Sequence, residues 1–118
     1  EAKPLISEAI YLAETEVQSD SNSNTLHQRG LAYSIAGQYA KAIADYTSVL
    51  EIDPCHATAW YSLACCYAEQ GDLDLSIDAL SWAVALEPVS LSEEARQDKN
   101  FAWLRETLAF RELVPQQG

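Results

Sequence analysis

A self-similarity of period 34 constrains this chain more than any other feature of it. Residues 23–54 align without a gap on residues 57–88, and Pro88 follows Pro54 by 34 positions. The paired residues agree in size and polarity: Leu26/Trp60, Gly30/Ala64, Tyr33/Tyr67, Gly37/Gly71, Ile43/Ile77, Tyr46/Leu80, Val49/Ala83 and Ile52/Leu86. A chain that repeats at this interval stacks like units on one another, because each unit leaves an apolar face that only a neighbour can bury.

Each unit divides around its glycine. Leu26, Gly30 and Tyr33 precede Gly37, and Tyr39, Ile43, Tyr46 and Leu50 follow it; spacings of three and four are those of helices with one buried face. Gly37 and Gly71 fit the place just beyond a helix end, where a left-handed backbone penalises a Cβ. Pro54 and Pro88 stand where the second helix must stop, since proline has no amide to donate. Small residues set Gly30 against Ala42 and Ala64 against Ser76, the expected closest approach of the two helices. Trp60, Tyr33, Tyr67, Tyr46 and Leu80 then fill the space between hairpins, each worth roughly 2–5 kcal/mol against truncation to Ala.

These residues resemble the tetratricopeptide repeat, a 34-residue unit built on W-x2-L-G-x2-Y, A-x3-F and a terminal Pro. The second unit reads Trp60-x2-Leu63-Ala64-x2-Tyr67, Ser76-x3-Leu80 and Pro88; the first reads Leu26-x2-Arg29-Gly30-x2-Tyr33, Ala42-x3-Tyr46 and Pro54. Only Arg29 departs in size class, and its stem is expected to lie along apolar surface. The resemblance implies an all-α superhelix of antiparallel helix hairpins, an α-solenoid. It also implies one domain over 1–118, with an N-terminal helix and turn at 1–22, repeats at 23–56 and 57–90, and capping helices at 91–118.

Two repeats are marginal alone, so the flanks are expected to cap them. Leu5, Ile6, Ala9, Ile10, Ala13 and Val17 fall at helical spacing, like the second helix of a preceding, truncated unit, and residues 19–24 form a polar turn. After Pro88, Ser90 or Ser92 is placed to cap a short helix through Glu93, Glu94 and Ala95. The run Asp98-x2-Phe101-x2-Leu104-Arg105-x4-Phe110-x2-Leu113 resembles an ending of bacterial-type arrays, which points the source toward bacteria or plastids. The second unit also carries an extra apolar stripe, Leu75, Ala79, Trp82 and Leu86, where the first has Lys41, Asp45, Ser48 and Ile52. Phe101, Trp103, Leu108 and Phe110 are expected to cover it. The alternatives are an external partner or self-association, which would make the stripe a second contact face.

Eighteen acidic residues against seven basic give a net charge of −11, which repels phosphate backbones and anionic headgroups. Nucleic acid and membrane insertion are therefore not expected. Cys55, Cys65 and Cys66 show neither a disulfide framework nor zinc spacing, so no metal or cofactor is expected and a reducing compartment, cytoplasm or plastid stroma, fits. The lack of any Met, the first position included, suggests a piece excised from a longer product.

In the resembled family the first helix of each hairpin lines a concave face. Carried over, its residues are Asn24, His27, Gln28, Leu31, Ser34 and Ile35, then Thr58, Tyr61, Ser62, Cys65, Ala68 and Glu69, a mixed surface that suits a peptide or helix. The alternative is that the chain's own terminal helix fills this face. The family's clamp of Lys, Asn and Arg on a terminal carboxylate fits poorly, with His27, Leu31 and Ser62 at its positions and Arg96 alone matching. Cys55 beside His56 lacks a third orienting group, and there is no phosphate loop or calcium spacing, so catalysis is not expected. The leading reading is a protein-interaction scaffold with an adaptor or assembly role. A regulatory or localising module of a larger multidomain enzyme, and a self-associating structural module, are the competing ones.

Overall fold

Side-chain caps decide where most of the helices begin. The structure, a computed structural model, describes residues 2–115, with side-chain surroundings from Leu5 onward; the ends of the expected N- and C-terminal segments, residue 1 and residues 116–118, lie outside the described residues. Helix α1 spans Ala2–Ser19 and α2 Ser23–Ile35. Asn22 Oδ1 accepts the Thr25 amide at 2.9 Å while Thr25 Oγ1 accepts the Asn22 amide at 3.0 Å, so two otherwise free donors are satisfied reciprocally. His56 Nδ1 accepts the Ala59 amide at 3.1 Å at the start of α4, Ala57–Glu69. Asp72 accepts that of Leu75 at 3.1 Å before α5, Leu73–Leu86. Between them lies α3, Tyr39–Ile52.

Pro88 does two things where one was expected. It marks the end of α5 and also stands in the first turn of α6, Pro88–Gln97, where its missing amide would have had no partner in any case. The cap expected at Ser90 or Ser92 is therefore not used; both lie inside α6, and Ser90 Oγ donates to Glu87 Oε1 at 3.2 Å. A 3-10 turn at Lys99–Phe101 and α7, Leu108–Leu113, complete the chain. At the corners of the hairpins Gly37 and Gly71 have φ of 80° and 81°, the left-handed conformation anticipated for them.

α2 with α3 and α4 with α5 form the two hairpins, α3 packs on α4, and α1 packs on α2. Within the second hairpin Ser76 Oγ donates to the Ala64 carbonyl at 2.9 Å, fully buried, as the small-residue pairing predicted. The first hairpin differs. A Cβ on Gly30 would lie 2.7 Å from Tyr46 Cε1, so Gly30 makes room for the Tyr46 ring. The second hairpin has Ala64 and Leu80 at these two places, a larger small residue opposite a smaller large one. Arg29 does more than lie along apolar surface: its Nε and Nη2 reach Asp45 Oδ2 and Oδ1 at 2.9 and 2.7 Å. Asp45, 4% exposed, thus carries a forked, charge-assisted pair.

The tail docks, its 3-10 turn on α4 and α7 on α5, but it leaves most of the apolar stripe of α5 uncovered. Phe101, Leu104, Phe110 and Val114 are fully buried, whereas Trp103 and Leu108 are largely exposed. Phe101 meets the Tyr61 ring edge-on at 5.6 Å, and Trp103 Nε1 donates to the Ala68 carbonyl at 2.9 Å. Leu75 and Leu86 stay exposed; of the stripe, only Ala79 is buried. Trp82, 53% exposed, finds its partner in Trp60, stacked at 5.5 Å. Phe101 beside Tyr61, with Phe110 against Phe101 in turn, is more completely enclosed than an open helix face would allow.

Gly30→Ala is expected to destabilise the chain by about 1–3 kcal/mol, since the ring it strikes is itself fully enclosed. Gly30→Ala with Tyr46→Leu copies the second hairpin. In urea unfolding the double variant should recover part of the loss, a favourable coupling that additive single effects would contradict.

Candidate binding groove

Successive first helices place α2 beside α4, with Ser34 Oγ and Cys66 Sγ 4.0 Å apart. On α2 the expected residues Asn24, Gln28 and Ile35 are exposed, and Leu31 and Ser34 are half-buried at the edge of the groove. On α4, Thr58 and Glu69 are exposed and Ser62 and Cys65 half-buried, while Ala68 is buried. Part of this set faces a common space made of two clefts, while Gln28 lines a groove between α1 and α2 and Asn24 and Ala68 line neither cleft. A cleft of about 310 Å³ lies between Leu31, Ser34, Thr58, Ser62 and Cys65, and a second of about 410 Å³ adjoins it through Ser34 and Cys65 toward Ile35 and Glu69.

Two expected groove residues are enclosed: Tyr61 borders the first cleft but is covered, and His27 lies outside both clefts. His27 is buried at the junction of the hairpins, its ring 5.4 Å from Tyr46 and 5.2 Å from His56. Tyr61, 6% exposed, is covered by the tail, and its hydroxyl donates to Asp98 Oδ2 at 2.7 Å. Neither side chain is open to a partner. The tail in turn supplies walls that sequence reasoning missed: Glu94 and Asn100 line the first cleft, Lys99 and Asn100 the second. Asp98 fixes this wall by accepting the Asn100 amide at 2.9 Å through its other oxygen. The signal available in sequence was Asp98 two residues before Asn100, the pattern of a local side-chain turn. Arg96, the single match to the carboxylate clamp, is engaged elsewhere, donating to the Pro115 carbonyl at 3.0 Å.

A third groove opens between α1 and α2, about 350 Å³, where Ala9, Leu12, Ala13 and Glu16 face Gln28, Leu31, Ala32 and Ile35. It is lined mainly by apolar side chains. Outside this lining, Tyr33 also ties α2 to α1 by donating to Glu14 Oε2 at 2.7 Å; burial, and then that bond, push the phenol up to about 12.

Burial dominates the electrostatics of the α2/α4 groove. It raises the Tyr61 hydroxyl well above the phenol range, with the Asp98 bond adding to it. Burial and the neighbouring Asp98 likewise raise the Cys65 thiol, and burial carries Cys66 up to about 11. Both sulfurs are therefore protonated near neutrality and serve as small apolar contacts rather than nucleophiles. His56 Nδ1 is engaged with the Ala59 amide, which leaves that nitrogen unable to act on exposed Cys55. Among the described residues, no group of three or more His, Cys, Asp or Glu is arranged to hold a metal, and no helix is long and apolar enough to cross a membrane. The groove offers hydrogen bonds and apolar contacts to a chain laid along it.

His27 makes the junction sensitive to acid. Burial, and secondarily the proximity of His56, lower its pKa below the ordinary 6.5, so the unfolded chain binds its proton first. Its contribution to stability is present above the unfolded value and is lost as pH falls from there toward the depressed folded value. Urea midpoints should therefore drop between pH 7.5 and 5.5, and His27→Leu should flatten that slope. An equal slope in the variant would place the cause in other groups.

Comparison with known proteins adds three findings. Residues 23–54 match a family model described as tetratricopeptide repeat, and residues 46–78 match a second model of the same description. The second match begins in α3 and ends in α5, so it takes in the junction between the hairpins. The chain is also similar to Superkiller complex protein 3 of Homo sapiens, 34% identical over 64 residues, an alignment covering 54% of this chain and 4% of that protein.

Proposed function

We propose that this chain, a member of the tetratricopeptide-repeat proteins, holds a segment of another polypeptide against the first helices of its hairpins and so serves as an adaptor in assembly. The repeats imply a protein–protein interaction module; the choice of surface and role is our reading. The observation that carries it is the asymmetry of the groove. The tail covers Tyr61 and reaches Ala68 on α4, while Leu31 and Ser34 of α2 still border an open cleft with Thr58 and Ser62. A net charge of −11 favours a partner segment with basic residues and disfavours nucleic acid. Thiols without disulfides suit a reducing compartment such as cytoplasm or stroma.

The chain spans a twenty-fifth of its human relative, 4%, which supports a second reading as a regulatory or localising module of a larger protein. That relative is named for a complex, in line with an assembly role here. Self-association through Leu75, Trp82 and Leu86 is the remaining reading, motivated by their exposure.

Thr58→Ala with Ser62→Ala tests the groove without touching the buried Tyr61. Retention of proteins from native extract should fall at least about fivefold, the effect of losing on the order of 1 kcal/mol of contact. Equal recovery by wild type and variant would remove the groove from consideration. Loss on Trp82→Ala instead would transfer the role to the α5 face.

A further inference from the structure

The α1/α2 groove can be compared with a surface of the same molecule that is already filled. Three residues, 20–22, join α1 to α2, and four, 53–56, join α3 to α4, so α1 aligns on α3 at an offset of 33 rather than 34. At that offset Ile6, Ile10, Ala13 and Val17 fall on Tyr39, Ile43, Tyr46 and Leu50. The match is physical. Ile10 and Val17 pack into the core beside α2, as Ile43 and Leu50 do for the next junction.

The other face of α3 is Ala42, Asp45, Tyr46 and Val49, all buried because α2 lies across them. Its counterpart on α1 is Ala9, Leu12, Ala13 and Glu16, the wall of the open groove. Leu12 is 61% exposed where Asp45 is 4%, and Ile35 is 72% exposed where the second repeat has Glu69. Two large aliphatic side chains thus stand in water at places where the molecule elsewhere uses acids or covers them.

We infer that this groove receives an α-helix of a partner protein, seated on α1 and α2 as α2 is seated on α3 and α4, with bulky apolar residues on its buried face and a basic residue at its edge. The inference rests on the reading of the chain as a protein-binding module and names the form of the ligand. Each feature of the occupant follows from a substitution between the two surfaces. Where α3 presents the Tyr46 ring and demands Gly30 opposite, α1 presents Ala13, which leaves room for a large side chain. Where α3 presents Asp45 to Arg29, α1 presents Leu12, which calls for an apolar one. Where α3 has Val49, α1 has Glu16, the charged residue of the groove wall, which requires a cationic partner once a helix screens it from water.

The probe is a synthetic peptide of the length of α2, 13 residues, with leucines at helical spacing on one face and lysines along its edge. Amide shifts in the isotopically labelled chain should move at Ala9, Leu12, Glu16 and Ile35. Leu12→Asp and Ile35→Glu copy Asp45 and Glu69 at exposed positions, so helicity should be unchanged while affinity falls about tenfold. A peptide with glutamates for the lysines should be weaker by a similar factor. Shifts confined to Thr58, Ser62 and Asn100 would overturn the inference and leave the protein-binding reading intact. No saturable binding up to about 1 mM would overturn it as well, as would a concentration-dependent dimer abolished by Leu12→Asp, which would make a second copy the occupant. Failure here together with undiminished retention by the Thr58/Ser62 variant would remove the binding role of both grooves.

Discussion

The edge-to-face contact of Phe101 with Tyr61 sets the limits of everything else in the molecule. Two stacked hairpins leave an apolar end that water would otherwise meet. Phe101, Leu104, Phe110 and Val114 close that end completely, each burial being worth on the order of 2–3 kcal/mol. The same closure pulls Asp98 onto the Tyr61 hydroxyl and brings Asn100 into the groove wall. The cap and the half-closed groove are therefore one arrangement. A partner laid along the first helices meets a surface that the tail has already shortened.

Inside the hairpins a second constraint operates, that of close helix approach. Gly30 under the Tyr46 ring and Ala64 beside Leu80 are two solutions to filling one space, and neither residue can be exchanged singly without strain or a void. Arg29 and Asp45 add a polar solution to the same interface. The pair is forked and one partner is buried, so removing the arginine would strand a carboxylate at a cost of about 3–5 kcal/mol.

Much of this was legible in the sequence because repetition compares a chain with itself. The period gave the hairpins, the glycines their corners, and Ser76 its place against Ala64. What escaped the reading came from contacts between unlike positions. The burial of Asp45 depends on Arg29, sixteen residues away and at a place where the repeat pattern has leucine, so charge alone pointed outward. His27 and Tyr61 lie on the stripe that faces the groove, but an aromatic ring with a neighbour to cover it gains more by enclosure than by exposure. The stripe of Leu75, Trp82 and Leu86 was matched to the wrong partner because apolar supply was counted without geometry. Trp60 was near enough to stack on Trp82, and α7, though it packs on α5, leaves Leu75, Trp82 and Leu86 exposed.

The order in which the helices touch one another also has a kinetic meaning. From α1 to α5 each helix packs on the next one along the chain, so those contacts close short loops and can form early. The tail departs from this, since the 3-10 turn returns to α4 and α7 to α5 across intervening chain. Its loop closure is the long one and is achieved only when α4 and α5 already stand as a platform. The tail is thus the late arrival, held by enclosed aromatics, whereas α1 settles along α2 through a short connection.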